Sequence, residues 1–308
     1  MILCCGDALI DMLPVTDATG TPAFAPATGG AVFNTAIALG RMGTDVGFCS
    51  GISTDIFGTA LCAGLKAAGV EFRHVIFSDR PTTLAFVTLR DGQARYTFYD
   101  ENTAGRMITP QDMPLLGPET RALFFGGISL AAEPAAGTYA TFLTHNAASR
   151  VVMLDPNIRP SFIRDTASYR TRLSAMIARS DIVKLSDEDL HWLQGPGTLA
   201  DLARTMLSMG PKLVLITEGA KGAHGYFGAH HVFEPAQKVV VVDTVGAGDT
   251  FNAGVLTALA RTERLEKSAI AALDAPMVAQ MLRLGNAAAA ITVSRVGANP
   301  PFAHEITL

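Results

Sequence analysis

The sequence predicts an α/β fold in which a mostly parallel sheet is flanked by helices on both faces and carries a small β-strand lid. Three observations support it. Short, nearly continuous apolar runs (ILCC at 2–5, ALFF at 122–125, VVML at 151–154, IVKL at 182–185, LVLI at 213–216) alternate with stretches of helical apolar spacing. Strands buried on both faces read as such runs, whereas half-exposed strands alternate. The segments 11–28 and 82–99 break the strand–helix order, which sets them apart as the lid. Finally, 49% hydrophobic against 17% charged residues in 308 supplies one large core and excludes disorder as the main state. With no repeat, low-complexity tract or linker, residues 1–308 read as a single domain.

The elements follow in order. MILCCG is a short buried strand, and the next stretch holds Pro14, Gly20, Pro22 and Pro26, too many breakers for a helix. Gly29-Gly30 leads into a helix, AVFNTAIALGRMG, that ends at Gly43. Residues 45–51 resemble a strand and 57–68 a helix stopped by Gly69. Residues 72–78, 82–90 and 95–99 alternate like strands, with Asp91-Gly92 marking a hairpin turn between the last two. RALFFGG is a strand followed by a helix near 135–147, and VVMLD a strand followed by one near 168–179. DIVKLS precedes a helix that Ser186 caps, with Asp189 three residues on. KLVLITEG is a buried strand, 222–242 a run of short strands, and helices near 248–261 and 276–291 finish the chain.

Charge and cysteine usage narrow the function classes. The formal net charge is −4 with seven His counted neutral, and no long basic run occurs, so a nucleic-acid partner is not expected. No stretch reaches the roughly 18 apolar residues of a membrane span, and the N-terminus lacks the charged start and apolar core of a secretion signal. A cytoplasmic protein without a membrane partner is expected. Cys4, Cys5, Cys49 and Cys62 form no CxxC pair and read as buried free thiols rather than metal ligands.

The most informative segment is DTVGAGDTF, residues 243–251, between the β run and a helix. Three small residues at a helix N-terminus leave backbone N–H groups uncovered, which suits an anion. A carboxylate directly after such a site, Asp249, makes sense if it takes a proton from a nucleophile beside the anion. Phosphoryl transfer to an alcohol needs that pairing of one base and several donors. The same string also fits a Gly-rich turn with Asp249 as an ordinary first-turn residue.

DTVGAGDTF resembles the C-terminal motif of the ribokinase-like (PfkB-type) carbohydrate kinases, and the resemblance covers nearly the whole chain. Gly29-Gly30-Ala31-Val32-Phe33-Asn34 with Leu39-Gly40-Arg41-Met42-Gly43 resembles the family's N-terminal Gly-Gly…Asn helix. GDALIDM at 6–12, DPNIR at 155–159, and Phe98-Tyr99 followed by Thr103-Ala104-Gly105-Arg106 are similar to its bacterial fructokinase branch. Two positions depart from that branch: Asp7 stands where Glu is commoner, and Gly105 where Asp is commoner.

The resemblance implies a ribokinase-like fold and an ATP-dependent sugar kinase. In it Asp249 is the catalytic base, and the amides around Gly246, Ala247 and Gly248 hold the transferring phosphoryl group. Asp11 accepts sugar hydroxyls, with Gly29, Gly30, Asn34, Phe98 and Arg159 completing the substrate set. Lys184 lies on the nucleotide side and Glu188 holds Mg²⁺ through water. Thr217, Gly219 and Gly222 belong to the nucleotide loop and Asn286 lies beside adenine. Asp243, with Val245 and the loop after Ile291, forms a monovalent-cation site for K⁺. The expected partners are a small sugar, ATP and a second copy of the chain joined through the lid. D-fructose, phosphorylated at its 6-hydroxyl, is the expected acceptor, and 2-keto-3-deoxygluconate the alternative. Arg90, Arg95 and Arg106 are the cations on the lid side that a charged substrate would use.

Two rival classes are weighed against this. A catalytically silent sugar-binding or regulatory protein would share the fold but not need an intact GAGD string. A hydrolase could use Gly127-Ile128-Ser129-Leu130-Ala131, which approximates a nucleophile elbow. Position 131 is Ala rather than Gly, however, and Pro134 would disturb the helix that must follow. There is no GK dipeptide for a Walker A loop and no HExxH.

Overall fold

The computed structural model describes residues 1–90 and 93–307. The chain opens with β1 (Ile2–Gly6), β2 (Leu9–Thr16), β3 (Pro22–Gly29), α1 (Ala31–Arg41), β4 (Val46–Cys49), β5 (Gly51–Ser53) and α2 (Ile56–Ala67). It continues with β6 (Ile76–Ser78), β7 (Leu84–Arg90), β8 (Gln93–Tyr99), β9 (Ala122–Gly126), α3 (Ala135–Asn146) and β10 (Val151–Asp155). Then come α4 (Thr166–Ile177), β11 (Ile182–Ser186), α5 (Asp187–Gln194), α6 (Leu199–Ser208) and β12 (Leu213–Thr217). The chain closes with β13 (Gly222–Phe227), β14 (His230–Pro235), α7 (Ala247–Arg261), α8 (Lys267–Ala271) and α9 (Ala275–Val293).

Eight strands form the main sheet in the order β14-β13-β12-β11-β10-β9-β1-β4. It is parallel from β12 to β4, while β13 and β14 add an antiparallel edge. Alternate residues of each central strand feed opposite faces, as the strand period of two requires. Cys4, Phe124 and Met153 pack toward α1, α7 and α9, whereas Cys5, Phe125 and Leu154 pack toward α3, α4 and α6. No helix among the described residues is long and apolar enough to cross a membrane.

The lid is a separate four-stranded sheet, β3-β2-β7-β8. β2 pairs antiparallel with β3 and parallel with β7, and β7 pairs antiparallel with β8. The expected hairpin turn at Asp91-Gly92 and the side chains of Arg90 and Arg95 lie outside the described residues.

Several expectations need correction. The strand expected over 45–51 divides: β4 stays in the main sheet, while β5 leaves it to pair with β6. The strand expected over 72–78 shrinks to Ile76–Ser78. The β run expected to reach 242 ends at Pro235; Val239, Val240, Val241 and Val242 are exposed and pair with no strand among the described residues. Helices α6 and α8 were not anticipated. Their stretches fall in gaps that read as connections, although Leu202, Ala203 and Met206 form a buried helical stripe on α6. The hydrolase alternative fails locally, because a short 3₁₀ turn at 128–130 separates β9 from α3 and the Ser129 hydroxyl donates to Gly126 O at 2.8 Å.

Helices α7 and α9 cross at glycines. A Cβ at Gly254 would lie 2.6 Å from Gly285 Cα, closer than packed atoms come. Gly254→Ala is therefore expected to cost about 1–3 kcal/mol through overpacking, read as a lower urea midpoint with an unchanged slope. An unchanged midpoint would contradict the crossing.

Candidate active site

The C-terminal ends of the parallel strands, where open α/β sheets bind ligands, open into a cavity of about 250 Å³ between the main sheet and the lid. Its floor begins with β1. Directly after that strand, Asp7 accepts from Val32 N at 3.0 Å and Ile128 N at 3.3 Å, joining the start of α1 to the turn after β9. Burial pushes its carboxyl upward, against the pull of those amides. Gly30 caps α1 at φ 109°, and a Cβ there would meet Asp7 O at 2.8 Å, so glycine lets the helix start against the floor.

Two helix N-termini meet at the cavity. From α1, Asn34 Nδ2 donates to Asp249 Oδ2 at 2.9 Å and Thr35 Oγ1 to Asp249 O at 3.2 Å. Asp249 sits in the first turn of α7, which Gly246 caps in the left-handed region at φ 79°. Burial pushes Asp249 up to about 7; the Asn34 hydrogen bond and Lys184 oppose the rise, while the charges of Asp155 and Asp7 add to it. The amides of Gly246, Gly248 and Asp249 have no acceptor among the described residues, and Ala247 N reaches Thr244 O at 3.3 Å. These are the uncovered donors that a helix N-terminus offers to an anion.

Behind the anion hole lies a buried ion pair. Lys184 Nζ donates to Asp155 Oδ2 at 2.9 Å, and Asn252 Nδ2 donates to the same oxygen at 2.7 Å. The ammonium lies 3.0 Å from where a Cβ on Gly248 would stand, so glycine there leaves it room beside the hole. On the lid side, burial and the Asp7 charge push Asp11 up to about 6. Phe98 completes that wall, stacked on Tyr96 with ring centres 6.0 Å apart and meeting Phe162 edge-on at 4.8 Å. Arg159 lines the cavity from the loop after β10 and is exposed.

The structure thus brings together Asp11, Gly30, Asn34, Phe98, Arg159, Lys184, Gly246, Ala247, Gly248 and Asp249. Gly29 is not in the wall; a Cβ there would lie 2.2 Å from Asp11 Oδ2, so its part is to admit that carboxylate. Glu188 lies outside the cavity in the first turn of α5, next to Asp189, whose carboxyl burial and Asp155 push up to about 6. Thr217 ends β12, and Gly219 opens the 3₁₀ turn that follows. Gly222 is required by the hairpin, since a Cβ there would lie 2.3 Å from Glu234 O. Asn286 Nδ2 is held by Glu234 O at 2.9 Å and Pro235 O at 3.2 Å, tying α9 to β14. Asp243 accepts from Val245 N at 3.0 Å and Gly297 N at 2.9 Å, fastening the loop before α7 to the loop after α9. Arg106 is committed to Asp100 at 3.2 Å and to Glu133 O at 3.0 Å.

Asp7, Tyr96, Asp155 and Asn157 also line the cavity without having been singled out as site residues. For Asp155 a signal existed: an acid at the C-terminal end of an apolar strand, where such sheets hold their ligands.

The expected ribokinase-like architecture agrees with known proteins. The family described as pfkB family carbohydrate kinase matches residues 1–305. A fructokinase of Rhizobium leguminosarum bv. trifolii is 53% identical over 274 residues, which is 89% of this chain and 84% of that protein. Fructokinase-1 of Zea mays is 32% identical over 313 residues, 99% of this chain and 95% of its own. The crystal structure of fructokinase with bound ATP from Xylella fastidiosa superposes with a TM-score of 0.87 at 29% identity, covering 96% of this chain and 93% of that one. With the motif segments folded around one cavity and the match running through residues 1–305, the chain belongs to the pfkB family of carbohydrate kinases.

Proposed function

We propose that this kinase is a fructokinase, transferring the γ-phosphoryl group of ATP to the 6-hydroxyl of D-fructose. One observation carries the choice of acceptor: four carboxylates, Asp7, Asp11, Asp155 and Asp249, line the cavity against two cations, Lys184 and Arg159. Lys184 is already paired with Asp155. A neutral polyol offers hydroxyl donors to such a wall, whereas among the described residues a sugar phosphate would find Arg159 alone, with Arg106 committed elsewhere. The relatives at 53% and 32% identity are themselves named fructokinases.

The chemistry follows from the geometry. Asp11 accepts hydroxyls of the bound sugar and orients it, while Phe98 covers its apolar face. Ionised Asp249, steadied by Asn34, takes the proton of the attacking hydroxyl. The amides of Gly246 and Gly248, with Lys184, receive the charge of the transferring group. The lid over the cavity keeps out water that would compete for the phosphoryl group. Among the described residues no three acidic, His or Cys side chains gather to hold a metal. Mg²⁺ would keep its waters and arrive on the phosphates, and Glu188 would hold it through water. When bound, it neutralises phosphate charge. Thr217, Gly219 and Gly222 would approach the nucleotide, with Asn286 near its base, and K⁺ beside Asp243 would stiffen the loop entering α7. A homodimer through the lid belongs to the same proposal: the face opposite Asp11 carries Phe24, Phe86 and Tyr99 edge to face, with Phe24 44% and Tyr99 61% exposed.

The test compares kcat/KM for fructose, ribose, fructose 1-phosphate, adenosine and 2-keto-3-deoxygluconate with Mg-ATP. Exposed Arg159 is the feature that favours the keto-acid. A rival exceeding fructose by more than about an order of magnitude overturns the acceptor. ATP consumption that no sugar stimulates overturns the kinase in favour of a silent sugar-binding protein.

Asp11→Ala is expected to lower kcat/KM for fructose about 10- to 100-fold, the scale of hydrogen bonds to a charged group. Because the Asp11 carboxyl stands near 6, the parent's kcat/KM falls as pH drops below that value, when the acceptor becomes protonated. A variant with parental kcat/KM would remove Asp11 from the site.

A further inference from the structure

Asp155 adds its charge to the cavity wall, yet it is 2% exposed and is the hub of the buried polar cluster. Both of its oxygens are used. Oδ2 accepts from Lys184 on the neighbouring strand and from Asn252 on α7, while Oδ1 accepts from Asn157 N at 3.2 Å. Asn252 follows Asp249 by three residues on one helix, so a single turn of α7 carries both the base and the group that fixes Asp155. We propose that Asp155 is a positioning residue, which holds the Lys184 ammonium against the anion hole and sets through its charge how readily Asp249 gives up its proton.

A lysine side chain has four rotatable bonds and a strongly hydrated head; in a buried site it needs an anion to keep it charged and in place. Asp155 supplies the anion, and Asn252 fixes the orientation of that carboxylate by occupying the lone pair Lys184 leaves. The groups facing Asp249 are Asn34 from α1, Asp7 after β1, Asp155 from β10 and Lys184 from β11. Of these, Asp155 acts in two opposed ways. Its own charge disfavours ionisation of Asp249, and the ammonium it retains favours it. A carboxylate alone would make the base too reluctant, and a lysine alone would not stay charged. Together they keep positive charge beside the transferring group while leaving Asp249 basic enough to accept a proton near neutral pH.

This inference rests on the kinase reading, and its test includes one measurement that needs no turnover. Titration of the ¹³C-labelled Asp249 carboxyl, assigned by its loss in Asp249→Asn, is compared in Lys184→Met, where no ammonium is left to lose, and in the same background carrying Asp155→Asn or Asp155→Glu. Asp155→Asn then removes only the negative charge, so the Asp249 midpoint is expected to move to lower pH. Asp155→Glu keeps the charge, so the midpoint stays near that of Lys184→Met. A midpoint unmoved by Asp155→Asn in this background overturns the electrostatic half of the proposal, whether or not the protein turns fructose over. The other half is read from kcat in a double-mutant cycle. Asp155→Asn is expected to lower kcat about 10- to 100-fold in the parent, the scale of one charge-assisted hydrogen bond, with the KM for fructose far less affected. In a Lys184→Met background the same change should cost little, because the group it positions is gone. Equal losses in both backgrounds overturn positioning through Lys184. The double variant removes both buried charges together and so folds more readily than either single one. If Asp155→Asn does not fold, Asn252→Ser replaces it in the cycle, with a smaller loss expected in the parent and none beyond Lys184→Met.

Discussion

Asp249→Asn is expected to keep the fold and fructose binding while losing about 10²- to 10⁴-fold in kcat, the range contributed by a positioned general base. The substitution preserves shape. The amide oxygen can still accept from Asn34 Nδ2, and Thr35 still reaches the main-chain oxygen of residue 249. What disappears is the group that takes the proton. Since the parent carboxyl titrates near 7, its kcat/KM should climb as pH rises through that value, and the residual activity of the variant should not. Turnover within a factor of a few of the parent would remove Asp249 from the role of base.

The same substitution should make the protein more stable in alkali. Folding raises the Asp249 carboxyl from its ordinary 3.8 to about 7, so the folded state prefers the protonated form. That preference favours folding fully below pH 3.8 and is lost as pH rises through 7. An amide has no such dependence. At pH 8 the variant should therefore exceed the parent by up to about 4 kcal/mol, with the gap narrowing at pH 5.5. Urea midpoints at the two values read this directly, and a variant less stable than the parent at pH 8 would contradict the buried carboxyl.

Lys184→Met is expected to fail on two counts. Removing one partner of a buried ion pair leaves Asp155 charged and under-compensated, at a cost of about 3–5 kcal/mol. Removing a preorganised positive donor from beside the anion hole should lower kcat about 10²- to 10³-fold. The pH profile should also shift upward, because the ammonium that favours ionised Asp249 is gone. Thermal melts and saturating kcat at pH 8 separate the two effects. A variant with parental melting temperature and kcat would show that the ammonium does neither.

The fold was legible where local pattern and tertiary placement agree. The apolar runs at 2–5, 122–125, 151–154, 182–185 and 213–216 became the parallel core because nothing but burial on both faces suits such strands. The valines at 239–242 have the same β-branched preference but pair with no strand among the described residues, and they lie exposed instead. Helix α6 carries its signals locally, a Thr198 cap with Asp201 three residues on and apolar residues at helical spacing, but it is only ten residues long between two other elements. At the site, the residues named from sequence carry their chemistry in local strings: the glycines and base of 246–249, the Gly-Gly before α1. Asp155 has a local signal in its place at the end of β10, but its part as a hub, like that of Asn252, comes from partners 29 and 97 positions away along the chain.

The hydrogen bond between Asn34 and Asp249 spans 215 residues, and α1 packs on α7 from the far end of the chain. A polypeptide emerging N-terminus first therefore completes the lid, α1 and all eight strands of the main sheet before the helix that carries the base exists. Until then α1 has β1, β4, β9 and α2 to pack on, but the side that α7 will cover stays open. Contacts of such long separation form slowly because loop closure precedes their reward. A nascent or truncated chain lacking the last 62 or so residues should thus be sticky and wholly silent, with neither base nor anion hole to spend ATP. The cell consequently meets no half-made form of this enzyme that hydrolyses nucleotide to no purpose, but it must shelter the unfinished α1 face from aggregation while synthesis runs to the end.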